Sequence, residues 1–158
     1  MSSIMMPVSA GTFEEHTELA RAVASTGTDV LINISACKVK DSYGWYHPTR
    51  GELVICQENA TGSEMVAWSD EDLDTLRHEA HHVVQDCMDN ALDGVLETVY
   101  VEPAELIATV LTKDQIEGIL TAYNEATNHR QLMELEAFSV ARMNDPLEQV
   151  ADIKKYCF

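Results

Sequence analysis

The chain has 158 residues, 46% of them hydrophobic, which is enough for one domain with a buried core and short for two. No stretch approaches the roughly 20 apolar residues of a membrane helix. Ten basic against 27 acidic residues leave a net charge of -17, which repels nucleic acid and anionic lipid. The expectation is a soluble single domain over residues 1–158, with no nucleic-acid or membrane partner.

In chain order, residues 1–11 carry no Lys or Arg ahead of a short apolar run, so no secretory signal is expected and the default compartment is the cytoplasm. Residues 12–24 (TFEEHTELARAVA) predict a helix capped by Thr12, with acids in its first turn and Leu19, Ala20 and Val23 on one side. Short, β-branched 29–35 (DVLINIS) reads as a strand. Residues 43–47 and 52–57 flank Pro48-Thr49-Arg50-Gly51 and predict a β-hairpin. Turn formers dominate 57–69, with 65–68 a short strand or packed loop. Ser69-Asp70 then opens a long helix to about Asn90, its early acids matching the helix dipole. The stretch 94–106 reads as loop or short strand. Helices follow over 112–123, from a Thr112/Gln115 capping box, over 129–143, capped by Asn128, and from Asp145-Pro146 onward. The fold class is α+β: N-terminal helix, small sheet with hairpin, long helix, C-terminal helical part.

Cys37, Cys56, Cys87 and Cys157 stand far apart and form no Cys-x-x-Cys pair, which excludes a zinc knuckle or thiol redox motif. Reduced, packed cysteines are expected. The scattered acids read as a solvated surface, and His16 and His47 as surface or core histidines.

The chemistry concentrates in His78-Glu79-Ala80-His81-His82. On a helix His78 and His82 lie four residues apart on one face, so both imidazoles reach one metal ion. Glu79, adjacent to the first histidine, is offset toward the metal's open position and suits a general base for a bound water. Such a run arises by chance in roughly 2% of chains of this composition. Its neighbours Leu73, Leu76, Ala80, Val83, Val84 and Cys87 are apolar or small, and charged groups among them are costly unless paired or metal-bound. His81 is one residue off the ligand face and reads as a supporting or surface residue.

A catalytic zinc needs a third protein ligand and an open fourth position. The three-histidine extension would need Gly at 85 and His at 88, where Gln85 and Met88 stand, so that subclass is excluded. A carboxylate from the later helix is the other solution, in Glu134-Leu135-Glu136-Ala137. Two residues apart means about 200° around the helix, so only one of the two acids faces the metal.

HEAHHVVQ followed by ELEAFSVA resembles the gluzincin branch of zincin-fold metallopeptidases, and in particular small single-domain metallopeptidase-like chains of bacteria and bacteriophages. The resemblance implies a minimal zincin-like domain and a zinc metallopeptidase that hydrolyses an amide bond of a peptide or protein substrate. It implies Zn2+ held by His78, His82 and Glu134, from a Glu-x-x-Ala register ending at Ala137, with Glu79 as base. Where such families place Asp or Asn to brace a histidine ligand, this chain has Phe138, so that support must come from elsewhere. The resemblance further implies an edge strand, 52–57, that binds extended peptide by strand addition, with Asn59-Ala60 near the substrate. An oxyanion stabiliser is also needed; His129, Tyr123 and Tyr100 are the candidates, with His129 taken as the site residue.

Two competing readings follow. Glu79-x-x-His82 also matches di-iron carboxylate bundles, but the second pair they need is missing, since Glu125 and His129 have the wrong spacing. A non-catalytic zinc-binding interaction module is the alternative from another class. The presence of Glu79 argues against it, because a structural zinc needs no base.

Overall fold

The computed structural model describes residues 11–158, so the reading of 1–11 as lacking a leader falls, Gly11 aside, outside the described residues. The elements run α1 (Phe13–Ser25), β1 (Asp29–Ile32), α2 (Ala36–Lys40), β2 (Gly44–His47), β3 (Glu52–Ile55), α3 (Asp70–Cys87), α4 (Pro103–Val110), α5 (Lys113–Ala122), α6 (Asn128–Met143) and α7 (Pro146–Tyr156). This is the expected α+β layout. No helix among the described residues is long and apolar enough to cross a membrane.

Capping sets the helix starts. Thr12, Ser69 and Thr112 each form a capping box with the residue three positions on, Glu15, Asp72 and Gln115, satisfying backbone N–H groups that a helix start leaves free. The cap of α6 is Thr127, one residue earlier than expected. Asp145 caps α7, with Pro146 in its first turn. Two helices went unread. The five residues of α2 are too few to display a helical period. Within 94–106, expected to be loop or strand, Pro103 begins α4; β-branched Val99 and Val101 just upstream obscured it. Residues 65–68 form no strand.

The sheet has the order β1-β3-β2, with β1 parallel and β2 antiparallel to β3. The hairpin is as expected, closed by the Gly51 N–H donating to the Pro48 carbonyl at 3.2 Å, with Gly51 at φ 63. The edge assignment is corrected. β3 pairs on both sides and is central, which is why Leu53, Val54 and Ile55 are fully buried. The antiparallel edge is β2. Its Gly44 lies so close to α3 that a Cβ there would sit 2.7 Å from Thr75 Cγ2 and 2.5 Å from the Val54 carbonyl oxygen. A side chain would pry the edge strand off the helix.

The core sits between sheet, α1, α3 and α7, built from Leu19, Val23, Leu53, Ile55, Leu76, Val83, Val84 and Ile153. On its other flank α3 packs against α6 through Met133, Ala137, Val140 and Ala141, so residues 75–87 are buried all round. The cysteines are paired, contrary to the expectation of reduced thiols. Cys37 bonds Cys56 and Cys87 bonds Cys157, with Cα separations of 5.6 and 5.1 Å. Spacing along the chain concealed this, because residues 70 apart were brought together by α7 folding onto α3. Disulfides persist in oxidising compartments, which runs against a cytoplasmic setting.

Candidate metal centre

A helix buried on every side must account for each polar group it carries. In α3 most are paired. Arg77 donates to the Ala141 carbonyl at 2.8 Å, contacts His16 Nε2 at 2.8 Å and bridges Asp74 at 3.3 Å. Asp86 accepts from the Tyr46 hydroxyl at 2.6 Å and the Gly94 N–H at 2.8 Å. His81, expected as a supporting or surface residue, is wholly buried, with its Nε2 2.7 Å from Glu136 Oε1. These contacts fix the rotation of α3, and what remains on its α6-facing side is the cluster His78, Glu79 and His82.

The ligand atoms of these three residues lie within 4.8 Å of one another. Glu134 comes closer still. Its Oε2 is 3.0 Å from His78 Nε2 and its Oε1 3.0 Å from His82 Nε2, while Glu79 Oε1 stands 4.0 Å from His78 Nε2. Two carboxylates therefore reach the imidazole pair, and the one in contact with both rings is Glu134. Arg130, four residues earlier on α6, donates to Glu134 Oε1 through Nε at 3.2 Å and Nη2 at 3.1 Å, a pairing that helix geometry allows between residues four apart. Glu136 points the other way. It is fully buried and accepts from the Val99 N–H at 3.0 Å, the Tyr100 N–H at 3.3 Å and Gln85 Nε2 at 3.1 Å as well as meeting His81.

Gln85 determines the tautomer of His82. Its amide hydrogens go to the Met133 carbonyl at 3.0 Å and to Glu136, so its Oε1 must accept, and His82 Nδ1, at 2.7 Å, must carry the hydrogen. Nε2 then presents a lone pair to a carboxylate oxygen, and two electron-rich atoms 3.0 Å apart require a proton or a metal cation between them. With a proton, burial lowers the His82 pKa, but the hydrogen bond and charge of Glu134, the charge of Glu79 and the Gln85 contact overcome this and raise it to about 9. Burial likewise pushes the Glu134 carboxyl up, and the two histidines more than reverse it, holding it well below the usual carboxylate range. Two imidazole nitrogens and one carboxylate converging beside a free second carboxylate form a donor set that fits a catalytic zinc.

His78 is held differently. Its Nδ1 is buried without a hydrogen-bond partner, and its ring meets the edge of Phe138 at 4.3 Å between centroids. The residue standing where a bracing acid was anticipated thus supports this histidine by aromatic contact, and Gln85 supplies the polar support to the other. Gln85 was seen in the sequence only as a departure from a glycine. Its position three residues after His82, polar in an apolar run, was the available signal.

A cleft of about 150 Å3 opens over His78 and Glu79, lined also by Tyr43, Gly44, Tyr123 and Phe138. Burial, then the negative charges of Glu134 and Glu79, push the Tyr123 pKa well above the ordinary tyrosine value, so it stays a donor. His129 is corrected: it is exposed, with Nε2 bonded to the Leu96 carbonyl at 2.7 Å, and no contact joins it to the cluster. Tyr100 lies by His81, with ring centroids 6.4 Å apart, on the Glu136 side. Ala60 lines a separate polar cavity of about 720 Å3, which shares Ser42 and Tyr43 with the cleft.

No curated protein and no solved structure matches the chain. The family model for a domain of unknown function, DUF8637, matches residues 12–158, from the cap of α1 through both helices of the centre, and the chain belongs to that family.

Proposed function

We propose that the chain is a zinc-dependent metallohydrolase that cleaves amide bonds in a peptide or protein substrate. The observation that carries this reading is Glu134, whose two carboxylate oxygens each lie 3.0 Å from a histidine Nε2 while Glu79 stands off at 4.0 Å. His78, His82 and Glu134 are the residues that would hold the zinc. When bound, zinc polarises a carbonyl and brings the acidity of water near neutrality. Glu79 takes the proton of the attacking water and returns it to the amide nitrogen as the C–N bond breaks. Tyr123, held protonated by burial and by the nearby carboxylates, donates its O–H to the oxygen that gains negative charge. The edge strand β2, whose first residue Gly44 lines the cleft, is where an extended chain would pair by strand addition. The two disulfides favour an oxidising compartment as the place of action.

The test is elemental analysis and peptide cleavage of the wild type and Glu79→Gln. One zinc per chain in both proteins, with cleavage reduced about a thousandfold or more in the variant, is the expected result. A wild type that holds no zinc, or a variant that still cleaves, overturns the reading.

A further inference from the structure

His16 is a buried ionisable group for which the metal centre has no use. It lies on α1 and is 1% exposed, closed in by Gly11 and Pro146: a Cβ at Gly11 would stand 3.1 Å from His16 Cε1 and 2.5 Å from Pro146 Cδ. Its Nδ1 is 2.6 Å from the Thr12 carbonyl oxygen, and its Nε2 is 2.8 Å from Arg77 Nη1. A guanidinium can only donate, so Nε2 is the acceptor and Nδ1 carries the one ring hydrogen, which it gives to Thr12. The contact with Arg77 therefore exists only for the neutral imidazole.

Arg77 is the joint through which α1 reaches the helices of the centre. Besides meeting His16, its guanidinium donates to the Ala141 carbonyl near the end of α6 at 2.8 Å and to Asp74 of α3 at 3.3 Å, and its own carbonyl accepts from Gln149 of α7 at 2.7 Å. Among the described residues, the charges that act on the ring are Arg77, backed by Asp74 and Asp70, on α3 and Glu15 on α1. From α6 comes the Ala141 carbonyl, and from α7 the uncharged Pro146 and Gln149. A proton on Nε2 would set two N–H donors and two positive charges 2.8 Å apart, against an arginine that does not release its own proton. The ring or the guanidinium must then leave.

We propose that His16 and Arg77 form a pH-sensitive latch: neutral His16 fastens the first turn of α1 to the joint between α3 and α6, and its protonation releases that turn. Burial lowers the His16 pKa from the ordinary histidine value of about 6.5; the Thr12 carbonyl opposes this, the Arg77 charge adds to it and Glu15 opposes it, and the net direction is down. Below about pH 6.5 the unfolded chain binds a proton that the folded latch refuses. The contribution of the latch to stability is therefore complete above that pH and is lost as the pH falls toward the lower folded value. Since α3 carries His78, Glu79 and His82 and α6 carries Glu134, acid loosens the seam that holds these residues together.

The experiment compares the wild type with His16→Gln, whose amide has an acceptor and a donor but takes up no proton near neutrality. Every other titrating group, the His78 and His82 pair included, is common to both proteins. Between about pH 7.5 and about pH 5 the wild type should lose at least about 4 °C more in melting temperature than the variant. At the lower pH, peptide-resolved hydrogen exchange should find the first turn of α1 opened in the wild type and protected in the variant. Nitrogen NMR of the wild-type imidazole reads the latch directly, whether or not the variant folds: a hydrogen on Nδ1 and ionisation below about 6.5 are expected. The same pH dependence in both proteins, a hydrogen on Nε2 of the neutral ring, or ionisation at or above about 6.5 overturns the latch, and each leaves the metallohydrolase reading untouched.

Discussion

His82 donates its Nδ1 hydrogen to Gln85 Oε1 at 2.7 Å, and Gln85 can only accept there because its own hydrogens are committed to Met133 and Glu136. The result is a chain of contacts, His82 to Gln85 to Glu136 to His81, that ties a histidine of the candidate centre to a buried acid on α6. An acceptor for the hydrogen on one ring nitrogen makes the other nitrogen a better ligand and fixes the orientation of the ring.

Gln85→Met keeps the volume of that side chain and removes both its acceptor and its donors. Zinc affinity, measured by competition with a chelator, should fall about 10–100-fold while the far-ultraviolet circular dichroism is retained. An affinity within twofold of the wild type would mean that the tautomer is set by something other than Gln85.

Glu134 and Glu136 are two residues apart and have separable effects. Glu134→Gln removes the carboxylate shared by His78 and His82 and should strip the zinc. Glu136→Gln should retain zinc but lower stability by roughly 2–4 kcal/mol, because a buried acid holding His81, Gln85 and two backbone N–H groups is replaced by an amide that cannot accept at both ends. Metal analysis and denaturant melts on the two variants distinguish the effects. A Glu136→Gln protein without zinc would move the ligand to that position.

The centre was more legible than its surroundings for a physical reason. His78, Glu79 and His82 sit within one turn of helix, so their relation is fixed by 3.6 residues per turn and can be read from spacing. Which of Glu134 and Glu136 meets the histidine pair turns on the rotation of α6 against α3: the Glu-x-x-Ala register pointed to Glu134, and the packing puts Glu134 against both rings. His129 was misplaced for the same kind of reason. Being at the start of α6, it meets the 94–102 loop through Leu96, and no local pattern reports where a long loop runs. The central position of β3 was concealed because a parallel partner, β1, lies on the far side of α2 and the hairpin in sequence. By contrast, the Thr12 cap, the capping box at Thr112 and the Pro48 to Gly51 turn are short-range chemistry and were read correctly.

The disulfides make a graded prediction. A cross-link restricts the unfolded chain more when it closes a longer loop, so Cys87–Cys157, with a separation of 70, should stabilise more than Cys37–Cys56, with 19. The chain-entropy relation gives roughly 4 and 3 kcal/mol. Replacing both members of a pair with serine should lower the melting temperature by about 10 °C, more for the longer link. Thiol titration of the native protein is the direct check, and four free thiols would remove both the prediction and the argument for an oxidising compartment.

Tyr123 is the residue on which the chemistry of the cleft can be tested apart from metal binding. Burial first, then the charges of Glu134 and Glu79, raise its pKa, so it remains O–H across the working range of such an enzyme. It lines the same cleft as His78, Glu79 and Gly44. On the proposed reading Tyr123 donates to the oxygen of the substrate carbonyl. Negative charge develops on that oxygen only as the water adds, so the hydrogen bond strengthens in the transition state, and its loss should appear in kcat more than in KM. Tyr123→Phe preserves the ring that lines the cleft and removes only the donor. Zinc content and fold should be unchanged, and kcat should fall about a hundredfold. If Tyr123→Phe cleaves at the wild-type rate, the oxyanion is stabilised elsewhere; if it loses zinc, the hydroxyl acts through Glu134 instead.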